Sequence, residues 1–377
     1  MRITILQGPF LPIPPLQGGA VEKLWHKLAM EFARQGHEVT SVSRRFPSLP
    51  DEGVEDGIRF LRVRSYNSSR DMRLNMVKDF LYNLHVRRVL PDADILVTNA
   101  LFAPILHRRA STGALYVNVN RYPKGQMKYY SRAARLQAPS TPIAEAIIRE
   151  VPHMKDRVVA IPNTLSWQAD DRLLTEGREK VILYLGRMHP EKGLRLLVEG
   201  FTRLDPTVRG DWRLEVRGPW RVEQGGAGEA YLDELRMLAS PLGDAVQFHD
   251  PLFGGDELKR ELHRASLFVY PSMAERGETF GVSVIEAMSC GCPPLVSGLE
   301  CFQDFLTDGH DGFVFDHRAD SPVDALADRL GEMLQLSESR LHELGANGIE
   351  TARNYQPDHV AGRYLEDFER VLSERSS

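Results

Sequence analysis

Segments of strand length alternate with helical ones from residue 2 to about residue 161, and the alternation starts again at residue 180. In the first run, residues 2–7, 37–43, 58–63, 95–98, 115–119 and 158–161 read as strands. Val21, Leu24, Leu28 and Phe32 recur at helical spacing between the first two, and Gln35-Gly36 closes that helix. In the second run, 180–185, 212–216, 246–248, 267–270, 294–296 and 312–315 read as strands. Helices are expected over 193–203, 231–239 and 256–264. Strands alternating with helices predict a parallel sheet covered on both faces. The chain is therefore expected to be α/β, with two doubly wound, Rossmann-like domains. The expected limits are 1–165 and 166–356, with a last helix at 357–377 that crosses back to the first domain. The polar stretch 164–179 is the expected boundary, and 377 residues exceed what one core usually supports. Such sheets bind ligands beyond the carboxyl ends of their strands, so a cleft between the domains is the expected site.

Hydrophobic content of 42% and charged content of 26% are ordinary for a soluble globular chain. No apolar run reaches the roughly 18 residues needed to span a bilayer. Cys290, Cys292 and Cys301 give no disulfide framework and no zinc spacing, which points to a reducing, cytoplasmic compartment. The net charge of −5 conceals an asymmetry. Residues 1–160 hold 24 lysines and arginines against 14 aspartates and glutamates. A basic half suits an anionic partner, such as the inner face of a membrane or a phosphorylated acceptor, and equally a solvated arginine-rich surface. No nucleic-acid motif accompanies it, so nucleic acid is not an expected partner.

The chemistry gathers in the second half. Glu278-Thr-Phe-Gly-Val-Ser-Val-Ile-Glu286 reads as a turn followed by a helix starting near Gly281. A helix start presents unpaired N–H groups and partial positive charge, and so suits phosphate. Glu278 before it and Glu286 inside it can accept hydrogen bonds from neutral hydroxyls. The stretch therefore suits a nucleotide-sugar. Arg187 and Lys192, five residues apart after a strand, could clamp a diphosphate. In the first half, Gly18-Gly19 opens a helix and lets backbone approach a ligand. It is neither a Walker loop nor a Gly-x-Gly-x-x-Gly fingerprint, which disfavours a dehydrogenase. Asn118, Asn120 and Arg121 end a strand on the expected cleft side. Glu275 reads as surface charge.

These motifs resemble the retaining family-4 glycosyltransferases of GT-B fold. The resemblance rests on Gly18-Gly19-Ala-Val-Glu22, the run from Phe32 to Thr40, Ile161-Pro-Asn163, the run from Leu185 to Gly193, and Glu278-x₇-Glu286-Ala-Met-Ser-Cys-Gly-Cys-Pro293. It implies that Glu278 contacts donor-sugar hydroxyls, Glu286 holds the ribose, and Arg187 and Lys192 bind the diphosphate. Backbone N–H groups of Phe280, Gly281 and Val282 would meet sugar and phosphate, and Gly18-Gly19 would lie near the phosphate or the acceptor. The family's frequent histidine close to the reacting sugar is replaced here by Asn120. The earlier strand end, Thr98-Asn99, lacks a histidine as well.

The expected activity is transfer from a nucleoside-diphosphate sugar to an acceptor hydroxyl with retention. It serves polysaccharide, glycolipid or glycoconjugate synthesis without metal or cofactor. The acceptor is a sugar, a lipid-linked intermediate or a small molecule. A sugar-nucleotide 2-epimerase and a non-catalytic nucleotide-sugar-binding protein remain open. A phosphorylase would need a pyridoxal lysine and a much longer chain.

Overall fold

A computed structural model describes residues 1–107, 109–169, 177–252 and 254–376. The chain divides into two compact units, Met1–Thr164 together with Pro357–Ser377, and Leu165–Gln356. Part of the polar stretch 164–179, residues 170–176, lies outside the described residues.

The strands of the first unit are β1 (Arg2–Leu6), β2 (Glu38–Arg44), β3 (Glu52–Glu55), β4 (Ile58–Val63), β5 (Ile95–Thr98), β6 (Ala114–Asn118), β7 (Arg135–Ala138) and β8 (Val158–Ala160). Its helices are α1 (Ala20–Arg34), α2 (Met72–Val86), α3 (Ala103–Leu106) and α4 (Thr141–Glu150). The second unit holds β9 (Glu179–Leu185), β10 (Arg213–Arg217), β11 (Val246–His249), β12 (Ala265–Tyr270), β13 (Pro294–Ser297) and β14 (Phe313–Phe315). Its helices are α5 (Leu194–Arg203), α6 (Pro206–Arg209), α7 (Glu229–Ala239), α8 (Gly255–Arg264), α9 (Val282–Ser289), α10 (Glu300–Gln303), α11 (Pro322–Leu334) and α12 (Glu338–Arg353). The last helix, α13 (Pro357–Ser376), belongs to the first unit.

The first sheet runs β3-β4-β2-β1-β5-β6-β7-β8. Successive strand residues point to opposite faces, so Ile3, Ile5 and Val97 meet α1 and α13, while Leu6, Leu96 and Leu136 meet α2 and α4. Trp25 and Phe32 of α1 meet Tyr364 and Phe368 of α13 edge-on, with centroids 5.1 and 5.8 Å apart. Such aromatic pairs add about 0.5–1.5 kcal/mol each beyond area burial. Asp367 of α13 is buried against Arg135 at 3.1 Å and accepts the Tyr116 hydroxyl at 3.0 Å.

Two strands depart from the expected pattern. β3 pairs antiparallel with β4, so the sheet is mixed rather than wholly parallel. The hairpin turns through Asp56 and Gly57, both at positive φ, the conformation that an Asp-Gly pair favours. β7, Arg-Leu-Gln-Ala, is buried along its whole length yet half polar. Its polar side chains are matched inside: Arg135 by Asp367, and Gln137 by the Ile161 carbonyl at 2.6 Å.

The second sheet, β11-β10-β9-β12-β13-β14, is parallel throughout. Its central run Val181 to Leu185 is packed on both faces, as fully covered parallel strands are. Strand order reverses at β9, which has β10 on one side and β12 on the other. The loops after β9 and β12 therefore meet at a topological switch point, where doubly wound sheets hold ligands.

Candidate functional site

Those two loops are joined directly. The Met273 N–H donates to the Glu191 carbonyl at 2.8 Å. Gly193, at φ 70°, has no room for a Cβ beside the Pro271 carbonyl oxygen. Lys192 is held under this contact. Its Nζ lies 2.7 Å from Glu278 Oε2, and the two side chains are only 8% and 10% exposed. The ammonium also sits 5.5 Å from the centre of the Tyr270 ring, within cation–π range. Tyr270 stacks on Tyr184 at 5.8 Å. Burial first, and then the Glu278 charge, pushes both phenols well above their ordinary pKa, so they stay neutral.

Arg187 is more open. One guanidinium nitrogen donates to the Gly225 carbonyl at 3.0 Å and the other to Glu191 at 2.9 Å. Arg187 and Lys192 thus both border the β9 loop, and carboxylates neutralise both.

Helix α9 follows Glu278 after the short turn Thr279-Phe280-Gly281. Gly281 caps it at φ 92° without a side-chain capping bond. The backbone N–H groups of Phe280, Gly281, Val282 and Ser283 make no hydrogen bond to any described residue. They form a row of donors at the positive end of the helix. The Phe280 side chain is core, packed on Phe305 and Tyr355, so only its backbone can serve a ligand. A Cβ on Gly281 would lie 2.5 Å from the Phe302 ring. Gly281→Ala therefore combines backbone strain with a clash, and is expected to destabilise this unit by about 1–3 kcal/mol in urea unfolding.

Glu286 sits on the second turn of α9 among the buried Val284, Ile285, Ala287 and Met288, where a carboxylate needs a polar partner. The Ser166 hydroxyl supplies one at 2.5 Å. Trp167 anchors the same segment, donating to Ser289 Oγ at 2.9 Å. Ser166 had no signal in the sequence, because an isolated serine in a patternless loop carries none. Glu275 pairs with Arg318 at 2.8 Å on the surface. Cys290, Cys292 and Cys301 are buried and unpaired with one another, and burial pushes the first two thiols up to about 12.

In the first unit, Gly18 and Gly19 adopt φ of 82° and 92° between β1 and α1. The Glu22 carboxylate folds back over Gly19. Its pKa is raised by burial, against its own backbone N–H and the nearby charge of Arg121. Asn118 accepts the Trp25 indole N–H at 2.9 Å and donates to Gln137. Asn120 donates its amide N–H to Asn118. The Asn120 amide is thus fixed by a buried chain of side-chain bonds leading from α1 to β7.

Residues 166–351 match the family model described as glycosyl transferases group 1. The match covers nearly the whole of the second unit. A D-inositol 3-phosphate glycosyltransferase from Rhodococcus opacus is 28% identical over 65% of this chain and 55% of its own length. The chain thus spans about half the length of the curated relatives it matches. Sucrose-phosphate synthase from Thermosynechococcus elongatus aligns over 99% of both chains with TM-score 0.75 and 18% identity. Anabaena Alr3699/HepE in complex with UDP and glucose aligns over 98% of this chain and 99% of its own, with TM-score 0.73 and 16% identity. These two likenesses carry the fold, which is that of GT-B glycosyltransferases.

Proposed function

We propose that the protein is a retaining glycosyltransferase that moves a sugar from a nucleoside-diphosphate donor to an acceptor hydroxyl, in polysaccharide, glycolipid or glycoconjugate synthesis. One observation carries the reading: a buried lysine–glutamate pair beside a row of unbonded helix-start N–H groups, at the switch point of a group 1 domain. The leaving diphosphate gains negative charge as the glycosidic bond breaks. Lys192, Arg187 and the α9 N-terminus stabilise that charge where it develops. Glu278, held against Lys192, orients the sugar hydroxyls rather than attacking the anomeric carbon. Glu286 exchanges part of its bond with Ser166 for the ribose hydroxyls. The acceptor attacks from the leaving-group face, and a phosphate oxygen takes its proton. The cations of the protein do the work of a metal, and no cofactor takes part. Gly18-Gly19 and Asn120 are the candidate substrate contacts of the first unit. Asn120 presents a neutral amide that cannot take up a proton as a histidine would, so it orients and does not act as a base. The setting is cytoplasmic, with peripheral contact at the inner face of a membrane.

The fixed Asn120 amide also favours a second reading, a protein that binds nucleotide-sugars without turnover. A thermal-shift screen against UDP, GDP, ADP and TDP tests the shared part. Saturation at 100 times Kd stabilises by about 2.7 kcal/mol, or roughly 5–10 °C for a domain of this size. One of the four should raise the melting temperature, and Glu286→Gln should shrink the shift. No shift at millimolar nucleotide would remove both readings. Product analysis with the selected donor then separates transfer from binding alone.

A further inference from the structure

Helix α2 carries an apolar stripe that the unit leaves uncovered. Eight of the fourteen large apolar side chains exposed among the described residues lie between 72 and 89. Met76, Val77, Phe80, Leu81 and Leu84 recur at helical spacing, each between 36% and 53% exposed. The opposite side of the helix buries polar groups. The Asp79 carboxylate accepts the Leu101 and Phe102 N–H groups at 3.2 and 3.3 Å, and an Asn83 N–H at 2.7 Å. The Asn83 carbonyl oxygen faces His107 Nε2 at 3.0 Å. Tyr82 and Val86 on that same side join the apolar core, so the helix is fastened by apolar and polar contacts together while the apolar stripe faces outward. Isolated exposed apolar residues are ordinary, whereas a continuous stripe marks an interaction surface.

The charges around the stripe identify its occupant. Arg73 stands one turn before Val77, and Arg87 and Arg88 stand one turn beyond Leu84, all exposed. Arg70 adds a further exposed cation at the leading end. Across residues 70–89 the carboxylates are Asp79, which is buried, and Asp71, which caps the helix and accepts the Arg73 N–H. Apolar side chains between two basic ends match an acyl boundary beneath anionic headgroups. A two-fold pairing of this face with a second copy would set arginines against arginines.

We infer that α2 is an interfacial helix that docks the first unit on an anionic lipid surface, with Met76, Val77, Phe80, Leu81 and Leu84 in the headgroup–acyl boundary and Arg73, Arg87 and Arg88 on lipid phosphates. The surface places this enzyme class at a membrane and specifies which face meets it.

Co-sedimentation of the full chain with phosphatidylcholine vesicles, with and without phosphatidylglycerol, tests this without any nucleotide, so the result is independent of the donor-site reading. The wild type should bind the anionic vesicles, and more weakly as salt rises. Val77→Ser with Leu81→Ser should weaken binding at least tenfold. Arg73→Glu with Arg88→Glu should weaken it by about 25-fold or more, since each cation near such a surface is worth about fivefold. Both variants should keep the wild-type melting temperature. Absence of wild-type binding at low salt overturns the proposal, as does binding that neither variant alters. A wild-type dimer that Val77→Ser with Leu81→Ser converts to monomer overturns it in favour of self-association.

Discussion

Lys192→Met is expected to lower kcat/KM for transfer by about 10²-fold or more, the usual loss when one group stabilising developing charge is removed. The same change leaves Glu278, only 10% exposed, without its cation. Removing one partner of a buried pair typically costs about 3–5 kcal/mol. The melting temperature of the second unit should accordingly fall by roughly 6–20 °C. Adding Glu278→Gln removes the stranded charge and should restore most of the stability. It should not restore transfer, because the diphosphate would still lack the ammonium and the sugar would lack its carboxylate acceptor. That split is diagnostic. A purely structural ion pair predicts that activity returns with stability in the double variant, measured by calorimetry and by transfer rate on the same preparation.

The second large effect lies in the first unit. Asp367→Asn keeps the shape of the side chain but strips the buried Arg135 of its buried carboxylate partner. A loss of about 3–5 kcal/mol is expected in urea unfolding. Glu374→Gln removes a different carboxylate from the same arginine, at 2.9 Å, but Glu374 is 53% exposed. That variant should cost no more than about 1 kcal/mol. Equal costs would contradict the view that burial, rather than the number of ion pairs, decides how α13 is held to the sheet.

Much of this architecture could be read from the chain because parallel strands covered on both faces are simple to recognise. Val-Ile-Leu-Tyr-Leu of β9 and the apolar β12 stand out, and the loops that follow them carry Lys192 and Glu278. β7 was not legible. Arg135 and Gln137 give it the look of a loop, and the partners that make those residues tolerable inside are remote in sequence. β3 was legible and passed over, since Asp56-Gly57 between two short segments is a hairpin signal. At the site, the sequence supplied the residue types but not their pairing. It placed Lys192 on phosphate and Glu278 on sugar, whereas the folded chain joins the two to each other. The outward stripe of α2 has the period of a buried face, and the burial of Asp79, Tyr82, Asn83 and Val86 reveals which side of the helix points in.

The corner formed by Lys192, Glu278 and the start of α9 is proposed to bind a diphosphate. Crystals soaked with the nucleoside diphosphate chosen by thermal shift test it most directly. Phosphate oxygens are expected within hydrogen-bond distance of Lys192 Nζ and of the N–H groups at the start of α9, with the ribose hydroxyls on Glu286. Nucleotide bound elsewhere, with the Lys192–Glu278 corner free of phosphate, would contradict it.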